Sequence, residues 1–169
     1  MNDTTSSNIV CFTGHRTIKG AALRELPERL EEALIELIQS GYTVFRAGGA
    51  LGFDTMAALK VLELKARFPE IQLHLYLPCR DQSKFWNADE IALYQKILSR
   101  ADAVHYTVDL YTDGCMLQRN REMIDGCAIC IAYFTQYGGG TGYSYAYAQR
   151  HDVKVINLAD LIGYDGKDD

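Results

Sequence analysis

The chain has 169 residues, of which 48% are hydrophobic, and a formal net charge of -5 at pH 7. This length and apolar content are sufficient for one domain with a full hydrophobic core. The acidic balance argues against a nucleic-acid partner, because nonspecific nucleic-acid binders are basic. No apolar run is long enough to span a membrane, and residues 1–8 are polar without a signal-type segment, so we predict a cytoplasmic protein with no membrane partner.

Short apolar segments alternate with segments of helical period along the whole chain. Strands are predicted at 8–13, 42–46, 71–77, 103–108, 127–134 and 153–158. Helices are predicted around 26–38, which Gly41 ends, and at 55–67, 89–100 with Asp89 as its cap, 115–125 and 143–150. Alternation with short connections predicts right-handed βαβ units and a mainly parallel sheet covered on both faces. The predicted fold class is α/β, a three-layer sandwich in a single domain at 8–162, with frayed tails at 1–7 and 163–169.

Three of the predicted strands end in turns that contain glycine. Gly14 follows the first strand, residues 47–54 follow the second, and residues 138–142 follow the apolar strand at 127–134. In parallel α/β sheets ligands bind outside the carboxyl ends of the strands, at the point where the topology changes direction. The three turns lie on that edge, so the sequence predicts one shared pocket.

The third turn contains Gly138, Gly139 and Gly140, followed by Thr141 and a predicted helix. Glycines let backbone N–H groups come close to a ligand, and a helix N-terminus offers unpaired donors and partial positive charge. This combination indicates a site for phosphate or another anion. The alternative is a flexible strand-to-helix turn, which also tolerates glycine.

The turn after the first strand places His15 and Arg16 directly behind Gly14. Arginine can bind phosphate or carboxylate through two hydrogen bonds, and histidine can donate to an anion or transfer a proton. The alternative is a polar loop with surface charges.

The second turn contains Gly48, Gly49, Ala50 and Gly52, and Asp54 falls in the first turn of the helix that follows. A carboxylate there is favoured by the helix dipole, which is the structural explanation. The functional alternative is an acid that binds ribose hydroxyls, as in nucleotide-binding folds. Neither glycine turn matches G-x-G-x-x-G and no G-x-x-x-x-G-K-[ST] occurs, so the standard dinucleotide and P-loop fingerprints are absent.

Arg119 and Asn120 lie on the predicted helix that leads into the strand at 127–134. They share a helix face with Met123, so Arg119 and Asn120 can flank one pocket rim. The alternative is a solvated face with an ion pair such as Arg119–Glu122.

The chain contains five cysteines, two of them, Cys127 and Cys130, at C-x-x-C spacing. On a strand these two positions point to opposite faces, so the thiols are not expected to converge. We therefore predict core thiols and no metal site, and the odd number of cysteines fits a reducing compartment.

Taken together, these motifs resemble the YpsA-like (DUF1273) branch of the SLOG superfamily. The resemblance covers most of the chain and is carried by residues 11–16, residues 48–54, Arg119-Asn120 with Met123 and Asp125, and residues 138–141. It implies a Rossmann-like domain that binds a nucleotide or nucleotide-derived ligand, such as an ADP-ribose-like molecule. The wider superfamily includes the LOG-type phosphoribohydrolases, which cleave a base from a nucleoside monophosphate, and the DNA-processing protein DprA.

The LOG-type motif resembles P-G-G-x-G-T-x-x-E, in which the glutamate is placed for catalysis. In this chain no proline precedes the glycines, and Ser144 stands three residues after Thr141, where that glutamate is expected. A serine cannot act as a base or stabilise an oxocarbenium-like transition state as a carboxylate does. The chain therefore departs from the hydrolase pattern, although Asp54 could supply a carboxylate from another turn.

Two main functions follow. The first is a sensor or regulatory protein in which the glycine turn and Thr141 hold phosphate, Arg16 and Arg119 compensate its charge, and Asp54 and Asn120 bind sugar or base. The second is an N-glycosidic hydrolase that uses Asp54 or His15 as acid or base, and no catalytic residue is assigned. An interaction protein with a vestigial pocket is a third. A nucleotide-like ligand is the only cofactor or partner suggested, and the apolar, tyrosine-rich helices favour a homodimer.

Overall fold

The computed structural model describes residues 7–135 and 139–163, which form an α/β domain built on one parallel sheet. Its six strands within these residues are β1 (Ile9–Gly14), β2 (Val44–Ala47), β3 (Gln72–Leu77), β4 (Ala103–Tyr106), β5 (Ile129–Tyr133) and β6 (Lys154–Asn157). Their spatial order is β4-β3-β2-β1-β5-β6, and every neighbouring pair is parallel. The predicted parallel sheet is therefore confirmed.

Helices cover both faces of the sheet, which confirms the three-layer prediction. They are α1 (Ala21–Gln39), α2 (Phe53–Leu64), α3 (Ala88–Arg100), α4 (Cys115–Ile124) and α5 (Gly139–Arg150), and a short 3-10 turn covers Leu158–Leu161. Helices α1 and α2 pack together with α3 alongside α2, whereas α4 packs against α5. None of the helices in the described part of the chain has the length and apolar character that a bilayer crossing requires.

Alternate residues of the central strand β1 face two separate hydrophobic clusters. Val10 and Phe12 belong to the cluster that contains the α1 and α2 side chains, whereas Cys11 belongs to the cluster formed with α4 and α5. This alternation is expected for a strand with both faces covered. Helix α1 contributes fully buried leucines four residues apart, at Leu26 and Leu30, so that one stripe of the helix lies on the sheet.

The N-terminus of α3 differs from the prediction, because Asn87 rather than Asp89 is the capping residue. Asn87 Oδ1 accepts from the Glu90 backbone N–H at 2.8 Å, and Glu90 Oε1 accepts from the Asn87 N–H at 2.9 Å. This reciprocal pair is a capping box, which places Asp89 inside the first turn.

The prediction that Cys127 and Cys130 point apart is wrong. Strand β5 begins only at Ile129, so Cys127 lies before it and the alternation of strand side chains does not apply to the pair. Both thiols instead reach the side chain of Cys11 on β1. Within the described residues no group of His, Cys, Asp and Glu side chains is arranged to hold a metal ion.

The start of α5 also differs from the prediction of a helix at 143–150. The helix begins at Gly139, so Gly139, Gly140 and Thr141 form its first turn and do not precede it. A helix N-terminus tolerates glycine there because the first N–H groups make no intrahelical bond in any case. The backbone donors of this turn therefore stand at the helix end, where the dipole favours an anion.

Candidate functional site

A cavity of about 250 Å³ opens beside the end of β1, where the topology of the sheet changes direction. Strand β1 pairs with β2 on one side and with β5 on the other, so the connections leave this point in opposite directions. This is the position at which α/β sheets bind ligands. The cavity is lined by Phe12, Thr13, Gly14, His15, Arg16, Ala50, Asp54, Met116, Leu117, Arg119, Asn120, Met123 and Thr141.

Most of the residues predicted for a shared pocket lie in the wall of this cavity. They come from the β1–α1 turn, the β2–α2 turn, α4 and the first turn of α5, and are Gly14, His15, Arg16, Ala50, Asp54, Arg119, Asn120 and Thr141. Gly48, Gly49 and Gly52 belong to the β2–α2 turn but do not line the wall. Gly139 and Gly140 begin α5, and Gly138 lies outside the described residues. A ligand-binding role for each of these positions stays a prediction.

The first two turns are held directly against each other. The Phe53 backbone N–H donates to the His15 carbonyl oxygen at 3.1 Å. Gly52 has a φ of +85°, and a Cβ at this position would overlap the backbone of Arg16. Because Gly52 has no Cβ, the β2–α2 turn can pack against the backbone of Arg16. The side chain of Arg16 is exposed and lines the cavity.

Asp54 is a buried carboxyl in the cavity wall, with 7% of its surface exposed. It lies in the first turn of α2, and its Oδ2 accepts from the Ala50 backbone N–H at 3.3 Å. Burial raises the pKa of Asp54 from its ordinary 3.8 to about 6, although the charge of Arg119 acts in the opposite direction. The carboxyl therefore exchanges its proton close to physiological pH.

Arg119 is the buried positive charge of the site and is 4% exposed. Its Nη1 donates to the carbonyl oxygens of Gly48 and Tyr76, the latter at 3.1 Å. Its Nε donates to Asn120 Oδ1 at 2.8 Å. Burial lowers the pKa of Arg119, but a guanidinium keeps its charge in proteins. Arg119 thus supplies a fixed charge to the cavity wall while it ties α4 to the ends of β2 and β3.

Gly48 separates the two buried charges. A Cβ at this position would lie 2.7 Å from Asp54 Oδ2 and 2.9 Å from Arg119 Nη1, closer than side chains tolerate. Glycine at 48 is therefore required for the carboxylate and the guanidinium to approach the same stretch of backbone.

His15 joins the β1–α1 turn to the segment that follows β5. Its Nε2 accepts from the Thr135 backbone N–H at 2.9 Å, and its ring lies 5.7 Å from the Tyr133 ring centroid. Burial lowers the pKa of His15. Both observations favour a neutral imidazole with its proton on Nδ1, because an acceptor nitrogen cannot carry the proton.

Ser144, at the position where the LOG-type motif has its glutamate, is fully buried on α5. Its Oγ has no hydrogen-bond partner among the described residues, and it is absent from the cavity wall. The backbone therefore directs this position into the core, and the carboxyl that does line the described cavity is Asp54.

Five wall residues were not predicted as ligand contacts: Phe12, Thr13, Met116, Leu117 and Met123. Met123 was expected only to share a face with Arg119. Extending that face back by one turn would have found Met116, because residues 116, 119, 120 and 123 follow the spacing of one helix face.

Comparison of the whole fold shows similarity to DNA processing protein A. The protein from Helicobacter pylori superposes with a TM-score of 0.64 and 19% identity, over 90% of this chain and 67% of that chain. The Streptococcus pneumoniae protein gives a TM-score of 0.62 and 16% identity, over 86% of this chain and 48% of that chain. At these identities the similarity establishes the Rossmann-like fold alone.

Sequence comparison identifies closer relatives. A UPF0398 protein of Bacillus pumilus is 34% identical over 166 residues, covering 90% of this chain and 89% of the relative. The SPbeta prophage-derived protein YoqJ of Bacillus subtilis is 29% identical over 147 residues, or 79% of this chain and 85% of that protein. The YpsA family model, described as the YspA SLOG family, matches residues 11–164. The resemblance found in the motifs is thus confirmed, and the chain belongs to the YpsA SLOG family.

Proposed function

We propose that the chain binds a nucleotide-derived phosphorylated ligand of the ADP-ribose type and acts as a sensor or regulatory protein. The observation that carries this proposal is the cavity at the end of β1, which brings together the start of α5, the Arg16 side chain and a buried carboxyl. Each of these features occurs in many proteins. Their convergence from separate turns on one edge of the sheet is what suits a ligand with both an anionic and a hydroxylated part.

The anionic part of the ligand fits the side of the cavity formed by α5 and the β1–α1 turn. The first N–H groups of α5 have no intrahelical acceptor, and Thr141 in this turn lines the cavity. Arg16 is exposed at the same cavity, so its guanidinium is accessible to a phosphate. Helix N-termini and arginine are the groups that bind phosphate in many nucleotide sites.

The hydroxylated part fits the portion of the wall that Asp54 and Asn120 form. With a pKa of about 6, the Asp54 carboxyl is mostly ionised at pH 7 and can accept from ribose hydroxyls. Asn120 Oδ1 already accepts from Arg119, which leaves the amide N–H group of Asn120 as the donor for a ligand. Arg119, whose guanidinium already donates to the backbone carbonyls of Gly48 and Tyr76, offsets negative charge in the cavity.

Calorimetric titration with ADP-ribose, NAD and nucleoside monophosphates tests the proposal. The variant Gly139→Asp places a carboxylate in the first turn of α5, where acidic residues favour the helix but repel a phosphate. We expect this variant to lose binding, whereas Gly163→Asp, which adds the same charge at an exposed position outside the cavity, keeps it. Absence of saturable heat with every one of these compounds would contradict the proposal.

The second candidate is N-glycosidic hydrolysis of nucleoside monophosphates. The specific observation in its favour is the raised pKa of Asp54, since a carboxyl that titrates near pH 6 can donate or accept a proton at physiological pH. The assay is base release from a panel of nucleoside monophosphates, with Asp54→Asn as the comparison. A wild-type protein that binds the nucleotides but releases no base would remove this candidate.

Single-stranded DNA should also be titrated as a candidate ligand, because the Helicobacter pylori structure was described for its single-stranded DNA binding mode. The formal charge of -5 opposes a phosphate backbone, so we expect an oligonucleotide to bind less tightly than ADP-ribose.

We also propose a cytoplasmic homodimer. Light scattering tests the dimer, which would give twice the chain mass of 19.0 kDa.

A further inference from the structure

A second cavity, of about 330 Å³, adjoins the site at the end of β1. Met116 lies in the wall of both cavities. Gln82, in the wall of the second cavity, donates from Nε2 to the Gly49 carbonyl oxygen in the β2–α2 turn at 3.4 Å. The two cavities together provide about 580 Å³, which is within the range of pockets that hold small ligands and cofactors.

The wall of this second cavity contains aromatic rings that are open to solvent. Phe85 is 90% exposed and Tyr111 is 58% exposed, and both line the cavity. Leu110, next to Tyr111, is 61% exposed. A cluster of large exposed apolar side chains around a concavity marks a binding surface more often than a single exposed leucine does.

The two loops that carry these rings are tied to each other. The Tyr111 backbone N–H donates to Asp81 Oδ1 at 3.0 Å. The Arg80 backbone N–H donates to the Asp109 carbonyl oxygen at 2.8 Å, and Arg80 Nε pairs with Asp109 Oδ1 at the same distance. The loops after β3 and β4 are therefore joined by backbone and side-chain bonds without a ligand, which lowers the entropic cost of binding a rigid ring.

One polar atom at this cavity lacks a partner. Gln82 Nε2 is engaged with Gly49 and, at 3.2 Å, with Tyr94 Oη, whereas Gln82 Oε1 is buried without a hydrogen bond among the described residues. Because Oε1 has no exposed surface it is closed to a ligand, and the two bonds of Nε2 hold the Gln82 side chain fixed against the β2–α2 turn.

We infer that the second cavity receives the nucleobase of the ligand whose phosphate and sugar occupy the first cavity. The planar ring would stack on Phe85 and Tyr111, the exposed aromatic side chains of the wall. This inference rests on the proposed function and extends it, because it assigns the base to the loops after β3 and β4 and leaves the β1–α1 turn and α5 to the phosphate.

The test compares two probes that share a sugar phosphate, ADP-ribose and ribose 5-phosphate, by calorimetry. Phe85→Ala removes a side chain that is almost wholly in solvent, so we expect the fold to be retained. The loss of one stacking partner should weaken ADP-ribose binding on the order of 10-fold and leave ribose 5-phosphate binding unchanged. Leu161→Ala, at a 52% exposed position in the wall of a different cavity, is the matched control and should change neither affinity.

The outcomes separate this inference from the function on which it rests. Wild-type protein that binds ADP-ribose, with Phe85→Ala binding it equally well, would overturn the inference and leave the proposed function intact. Equal weakening of both probes by Phe85→Ala would also overturn it, because the ring would then act on the fold and not on the base. A selective loss of oligonucleotide binding, with ADP-ribose unaffected, would assign the rings to nucleic acid instead. Wild-type protein that binds neither probe, nor NAD nor any nucleoside monophosphate, would contradict both proposals.

Discussion

Replacement of Asp54 by asparagine should change how the stability of the protein depends on pH. Burial raises the pKa of this carboxyl from 3.8 to about 6 in the folded chain. Between these values the folded protein holds a proton that the unfolded chain has lost. The stability that Asp54 contributes is therefore complete below pH 3.8, and it is lost as the pH rises through about 6.

The size of the change in unfolding free energy follows from the rise in the pKa of Asp54. Each pKa unit is worth about 1.4 kcal/mol, so the rise to about 6 corresponds to about 3 kcal/mol of unfolding free energy lost on ionisation. Asp54→Asn keeps the shape and polarity of the side chain but cannot ionise. Its free energy of unfolding relative to wild type should therefore increase by up to about 3 kcal/mol between pH 4 and pH 7.

Urea denaturation at half-unit steps from pH 4 to pH 7.5 measures this difference directly. Other groups titrate in both proteins, and the subtraction cancels them. Glu70→Gln, which removes an exposed carboxyl before β3, is the matched control for the loss of one acidic charge. A difference for Asp54→Asn that stays constant with pH, or that falls as pH rises, would refute the assignment of a buried carboxyl with a raised pKa at this site.

Three further changes test the same site. Arg119→Met leaves the Asp54 carboxylate without its buried counter-charge and should cost about 3–5 kcal/mol by urea denaturation, part of which the double variant with Asp54→Asn recovers. Gly48→Ala places a Cβ between those two charged groups and should cost about 1–3 kcal/mol and weaken ligand binding, as measured by melting and calorimetry. The pKa of His15 is lowered by burial, so its contribution to stability is present above its ordinary 6.5 and is lost as the pH falls. His15→Gln retains an acceptor that does not titrate, and its melting temperature should fall less than that of wild type on acidification.

The order of strands and helices was predictable because their signals are local. The apolar run around β5 and the four-residue spacing of leucines in α1 both reflect burial of a face. Both patterns are visible in the sequence from the residue types alone. Strands that alternate with helices then require a parallel sheet, and the carboxyl ends of parallel strands share one edge. For this reason the convergence of Arg16, Asp54 and Arg119 could be predicted from residues far apart in the chain.

Features that depend on where an element begins were predicted less well. The cap of α3 was placed at Asp89, although Asn87 followed three residues later by Glu90 is the spacing of a capping box. The contacts of the Cys11 thiol with the thiols of Cys127 and Cys130 were missed because the start of β5 was predicted two residues too early. Element ends fray and their signals are weak, and a residue that lies before the true start of a strand, as Cys127 does, is not bound by the alternation of strand side chains.

The second cavity could not be predicted because its walls are loops. Phe85 and Tyr111 stand in segments without periodicity, and nothing in their sequence spacing indicates that hydrogen bonds between Arg80 and Asp109 bring them together. The burial of Arg119 could not be predicted for a different reason. Its type predicts a solvated residue, and only the acceptors at Gly48 and Tyr76 explain why a guanidinium can be buried there.

The most direct test of the central claim is a crystal structure of the protein soaked with ADP-ribose. We expect density in the cavity at the end of β1, with a phosphate within hydrogen-bond distance of Thr141 and Arg16 and a ribose hydroxyl at Asp54. Density for the ligand on another face of the molecule, or an empty cavity at a concentration that saturates the calorimetric signal, would contradict it.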